Sequence, residues 1–311
     1  MEPHGEHAVI QLDHLYKKFG QRLAVEDLSL SVPRGDIYGL LGHNGAGKST
    51  SIGMMLGQVW PTRGEVRVCG YDVSTHRNLA LAKVGAIFEA PIFYDYLSGW
   101  RNLEILSYYT AHTAPQRIRE VIEWVGLSGR EKSSVRTYSH GMRARLAIAQ
   151  ALLPQPELLI LDEPGSGLDP EGIHEMRQTI LRLHREFGLT ILLSSHLLTE
   201  VEQVCTRIAV LNRGRKLFEG SITEATRQQE WIRLRVGDFA QATRTLRAAG
   251  LIKEQRDDRF VNLATGADTA QVVRHLVAQD QPVYEIAVEE KTLESFYLSL
   301  MEDEHSRAAR S

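Results

Sequence analysis

The chain has 311 residues, 43% of them hydrophobic and 24% charged, with a formal net charge of −3. That composition suits a soluble globular protein with one large domain and a smaller one, and it lacks the basic excess of a nucleic-acid-binding surface. Two isolated cysteines, Cys69 and Cys205, argue against a disulfide framework or a zinc cluster and fit a reducing cytoplasm; no apolar run approaches the ~18 to 20 residues that span a bilayer, and the polar start MEPHGEH is unlike a signal peptide.

In chain order, the first informative stretch is IYGLLGHNGAGKST, residues 37–50. A short apolar strand enters a turn of the form Gly42-x-x-x-x-Gly47-Lys48-Ser49. Small residues there let successive backbone N–H groups converge on phosphate oxygens, and the helix expected over TSIGMMLGQVW adds its N-terminal dipole. Lys48 is placed to reach the β- and γ-phosphates and Ser49 to ligate Mg²⁺, with Asn44, Gly45 and Thr50 completing the nucleotide cradle. Residues 91–150 then break the alternation of strands and helices with helical patterns such as NLEILSYYT and RIREVIEWVGL, which predicts an inserted helical subdomain. Its aromatics Phe93, Tyr94, Tyr96 and Trp100 read as surface residues.

The stretch LLILDEP, residues 158–164, has no polar alternation before Asp162 and Glu163, so it predicts a central parallel strand covered on both faces. Ligands collect at the carboxyl ends of such strands. Beside a phosphate loop, Asp162 is expected to hold Mg²⁺ through water and Glu163 to polarise the attacking water. TILLSSH, residues 190–196, predicts another buried strand ending in His196. TRIAVLNRGRKLFEG reads as one further strand and SITEATRQQE as a connector. Residues 231–302 predict the order β-α-β-α-β-α with an optional short strand at LIKEQ, a small α+β domain of ferredoxin-like type.

The segment YSHGMRARL, residues 138–146, resembles the Leu-Ser-Gly-Gly-Gln-like signature of the ATP-binding-cassette (ABC) family. Ser139 and Gly141 match it; Tyr138, His140 and Met142 depart from it. PGSGLDP (164–170) resembles that family's dimer-contacting loop, His196 its γ-phosphate histidine, and Phe19 in KKFG its adenine-stacking aromatic. The resemblance covers roughly residues 8–220. It implies an α/β fold with a P-loop NTPase core over 8–225, a helical subdomain at about 91–150 and an accessory α+β domain at 231–302. It also implies ATP and Mg²⁺ as ligands, Glu163 and His196 as catalytic residues, and Ser139 and Gly141 acting on the nucleotide of a second ATPase subunit. Separate transmembrane permease subunits would dock on the chain at the cytoplasmic face of the membrane; for Phe93, Tyr94, Tyr96 and Trp100, lining a groove for a permease helix and simple packing of the helical subdomain both stay open. Most cassettes carry Gln where this chain has Glu89, a replacement resembling the ATPases that serve bacitracin and lantibiotic resistance exporters. The ending Leu293, Glu294, Phe296, Tyr297, Leu298, Leu300 resembles the tail of export ATPases. An importer subunit and a soluble non-transport cassette ATPase stay open as alternatives.

Overall fold

The computed structural model describes residues 8–88, 92–110, 113–226, 231–289 and 292–308. The chain divides into two units, residues 1–222 and 223–311.

The strands of the first unit are β1 (Ala8–Phe19), β2 (Arg22–Pro33), β3 (Ile37–Leu41), β4 (Arg63–Val68), β5 (Tyr71–Asp72), β6 (Val84–Ile87), β7 (Leu158–Asp162), β8 (Thr190–Ser195), β9 (Arg207–Asn212) and β10 (Arg215–Ser221). An antiparallel sheet has the order β2-β1-β4-β5, and a second sheet the order β10-β9-β3-β8-β7-β6. The second is parallel except for β10 at its edge. Every residue of β3, β7 and β8 is buried, which is why their sequences run apolar without alternation. Tyr38, Leu40, Leu158, Ile160 and Leu192 join Ile52, Met54 and Met55 in one core cluster.

Helices α1 (Lys48–Met55), α2 (Arg77–Leu81), α3 (Gly99–Thr110), α4 (Pro115–Trp124), α5 (His140–Leu152), α6 (Pro170–Phe187) and α7 (Leu198–Val204) connect these strands, and α8 (Ile222–Thr226) follows β10. The segments α3, α4 and α5 fall between β6 and β7, where the helical insert is expected. Because β3, β8 and β7 are adjacent and parallel, the turn after β3, the acids ending β7 and the histidine after β8 emerge at one edge.

Three local expectations are corrected. Phe93 is buried, so it belongs to the packing of the insert rather than to its surface, whereas Tyr94 and Tyr96 are exposed and Trp100 is partly buried. Residues 206–220 are a hairpin and not one strand. Arg213 (φ 49°) and Gly214 (φ 83°) both take the left-handed conformation that a two-residue hairpin turn demands. The segment expected as a connector begins with the short helix α8.

In the second unit, β11 (Trp231–Val236), α9 (Phe239–Ala248), β12 (Ile252–Arg256), β13 (Phe260–Leu263), α10 (Thr269–Ala278), β14 (Val283–Glu289) and α11 (Leu293–Ala308) follow in order. The sheet is antiparallel with the order β12-β13-β11-β14, the ferredoxin-like arrangement, and it includes the optional strand at Ile252. Ile232, Leu234, Leu246, Val261, Val272 and Leu276 form its core. Asp238 caps α9, and Asp268 with Gln271 forms a capping box on α10, so both helix starts are fixed locally.

Candidate functional site

The turn after β3 depends on glycine at two points. A Cβ on Gly42 would lie 2.6 Å from the Leu211 carbonyl oxygen, and Gly47 holds φ 107° at the start of α1. With those positions free of side chains, the turn closes over Lys48 and directs the first N–H groups of α1 outward. A cleft of about 360 Å³ is lined by Phe19, Arg22, Ala24, Asn44, Gly45, Gly47, Lys48, Ser49, Thr50 and Glu163. Phe19 stands half-exposed at its rim with the Lys17 ammonium 4.7 Å from the ring centre.

Lys48 is 5% exposed. Its Nζ donates to the Gly42 carbonyl at 2.7 Å and lies 3.1 Å from Glu163 Oε1. The other oxygen of Glu163 accepts from His196 Nδ1 at 2.6 Å. Glu163 itself sits at φ 50°, a left-handed conformation that costs a non-glycine residue of order 1–3 kcal/mol. Its N–H donates to Ser194 Oγ at 2.9 Å, and that hydroxyl donates in turn to Asp162 Oδ1. One serine on β8 therefore ties together the two acids that end β7. Asp162 is buried and, among the described residues, makes no ion pair.

Ser139 and Gly141 do not line this cleft. Ser139 is exposed and caps α5, accepting from the Met142 N–H at 3.2 Å. Gly141 packs against the start of α6, where a Cβ on it would lie 3.5 Å from Gly172 Cα. The departure at Tyr138 has a packing reason: the ring is buried and its hydroxyl donates to the Arg130 carbonyl at 2.7 Å. His140 is exposed. Asp169 caps α6 through the Gly172 N–H at 3.0 Å, with Pro170 in the first turn. Glu89 lies outside the described residues. The sequence reading missed Arg22 and Ser194. Ser194 carries a partial signal, a hydroxyl that follows Ile191, Leu192 and Leu193 in a buried strand and that the neighbouring Ser195 shares; Arg22 reaches the cleft only through the β1–β2 turn and carries none.

The chain is 37% identical over 293 residues to an uncharacterized ABC transporter ATP-binding protein of Bacillus subtilis, YhcH, covering 94% of this chain and 95% of that one. The chain belongs to the ABC transporter ATP-binding proteins. Residues 25–166 match the ABC transporter family. The bacitracin transport ATP-binding protein BcrA of Enterococcus faecalis is 40% identical over 242 residues, 78% of this chain and 79% of that one. Among solved structures, the ATP-binding subunit of an ABC transporter aligns with TM-score 0.62 at 29% identity over 71% of this chain and 92% of that one. This ABC protein is thus an ATP-binding and ATP-hydrolysing subunit on an α/β P-loop fold. Among its described residues no helix is long and apolar enough to cross a membrane.

Proposed function

We propose that this ABC ATPase powers export of an antibiotic or antimicrobial peptide through separate permease subunits at the cytoplasmic face of the membrane. The observation that carries the catalytic part is the convergence of Lys48, Glu163 and His196 at the edge where β3, β7 and β8 end. On binding ATP, Lys48 exchanges Glu163 for phosphate oxygens, which releases the carboxylate to accept a proton from water. His196 holds that carboxylate from its other oxygen and faces the γ-phosphate. The glycine turn and the start of α1 supply backbone N–H donors to the phosphates, and Phe19 at the rim suits a stacked adenine.

Ser49 and Asp162 fit a magnesium ion, since both offer hard oxygens and the buried Asp162 carboxylate has no cationic partner among the described residues. Such an ion neutralises charge on the phosphoryl oxygens. Ser139 and Gly141 stand away from the cleft of their own chain, which supports a second copy completing each site with its α5 N-terminus. Glu89, in place of the usual Gln, supports the bacitracin and lantibiotic branch, as does the likeness to a bacitracin transport protein. Inactivating the chain in its host and scoring growth against bacitracin and lantibiotics tests the assignment. Unchanged tolerance to both classes would reject the substrate reading.

A further inference from the structure

Behind the Glu163–His196 pair lies a second acid, Glu200, on α7. Its Oε2 sits where a Cβ on Gly165 would come within 2.8 Å of it, so the carboxylate rests against the loop that leads from Glu163 to α6. Gly165 does not occupy the left-handed region, so what a side chain there would disturb is this contact and not the backbone. A cavity of about 20 Å³ opens beside it, lined in part by Gly165, Arg177, Ser195 and Glu200. Glu200 Oε1 and Arg177 Nε are both buried there with no hydrogen-bond partner among the described residues. Burial raises the Glu200 carboxyl above the usual carboxylate range, opposed by the charges of Arg177 and His196 and reinforced by Glu163.

Glu200 as a whole is partly buried, but an oxygen shut away from solvent without a partner still weakens a fold, and such atoms call for an explanation in function. The loop itself is held by local backbone bonds, Ser166 N–H to the Glu163 carbonyl at 3.0 Å and Leu168 N–H to the Gly165 carbonyl at 3.3 Å. Glu200 is the side chain that reaches it from the element following His196. We propose that Glu200 is a positioning residue for ATP hydrolysis, propping Gly165 from α7 and so keeping the loop after Glu163 in register with the Glu163–His196 pair. This rests on the assignment of Glu163 above.

The test is steady-state hydrolysis by the full chain, with ATP binding and thermal unfolding as controls for folding. Glu200→Ala is expected to lower kcat about tenfold with KM for ATP within about twofold, because no nucleotide-contacting group is touched. Glu200→Gln keeps the shape of the prop and is expected to stay within about threefold of wild type. Gly165→Ala pushes the flexible end of Glu200 away, so it should reproduce the Glu200→Ala defect. The double variant Gly165→Ala/Glu200→Ala should be no worse than the weaker single variant, since both remove one contact. Wild-type turnover in Glu200→Ala, a Gln variant as damaged as the Ala variant, or multiplicative losses in the double variant would each overturn the proposal. Failure of the underlying assignment shows differently, as full turnover in Glu163→Gln.

Discussion

Lys48 and Glu163 form an ion pair in the floor of the cleft, Nζ to Oε1 3.1 Å, with the lysine almost wholly buried. The partner that neutralises Lys48 is the residue proposed to act as base, so nucleotide and base compete for one ammonium group. Glu163→Gln removes the basic oxygen while leaving Lys48 its bond to the Gly42 carbonyl. ATP binding is expected to persist, and turnover to fall by about 10² to 10⁴-fold, the usual worth of general-base assistance. Nucleotide titration beside steady-state hydrolysis checks both, and turnover near wild type rejects the assignment.

Ser194 joins Asp162 to the backbone of Glu163, whose left-handed conformation has to be held by its surroundings. Ser194→Ala leaves a buried carboxylate oxygen and a partly buried N–H without their partner. The expected cost is about 1–3 kcal/mol in stability, from the desolvated groups left unpaired. Turnover should fall as well, because the Glu163 carboxylate is no longer aimed by its own backbone. Denaturant unfolding gives the first quantity and kcat the second; a variant unchanged in both removes Ser194 from the site.

The elements carrying the cleft were legible because they obey strong local rules. Strands β3, β7 and β8 are covered on both faces and so read as runs without polar alternation, and the turn after β3 needs glycine at Gly42, which Leu211 crowds, and at Gly47, which takes φ 107°. The hairpin at Arg213 was hidden because a long side chain rarely takes φ near 49°, so the residues on both sides read as one strand. Phe93 was misplaced because an aromatic run does not say which ring turns inward. Glu200 was invisible for another reason: its contact with Gly165 joins segments that meet only when β7 and β8 pair.

The two thiols differ in depth, which sets their chemistry. Cys205 is buried and its thiol is pushed far above the ordinary range by desolvation, while Cys69 is partly buried and raised mainly by the same cause. Burial disfavours the thiolate, the reactive form. In the folded protein at mildly alkaline pH, iodoacetamide should label Cys69 slowly and leave Cys205 untouched, with both labelled in denaturant. Mass mapping of the labelled peptides checks this, and rapid labelling of native Cys205 would contradict its burial.

Ser139 caps α5 from an exposed position and lies outside the cleft that Lys48 lines, which supports the proposal that the two act on one nucleotide from different copies. Lys48→Ala and Ser139→Arg are each expected to be inactive alone, the first by losing the phosphate cation and the second by placing a bulky charge at the α5 N-terminus. In a mixed dimer both lesions fall in one site. The other site then combines an intact Lys48 with an intact Ser139. Mixing the two proteins should therefore restore part of the wild-type hydrolysis, and specific activity should fall on dilution as the dimer separates. Specific activity that holds steady on dilution, with no recovery in the mixture, would mean that each chain carries a complete site, and Ser139 would revert to the role of a helix cap.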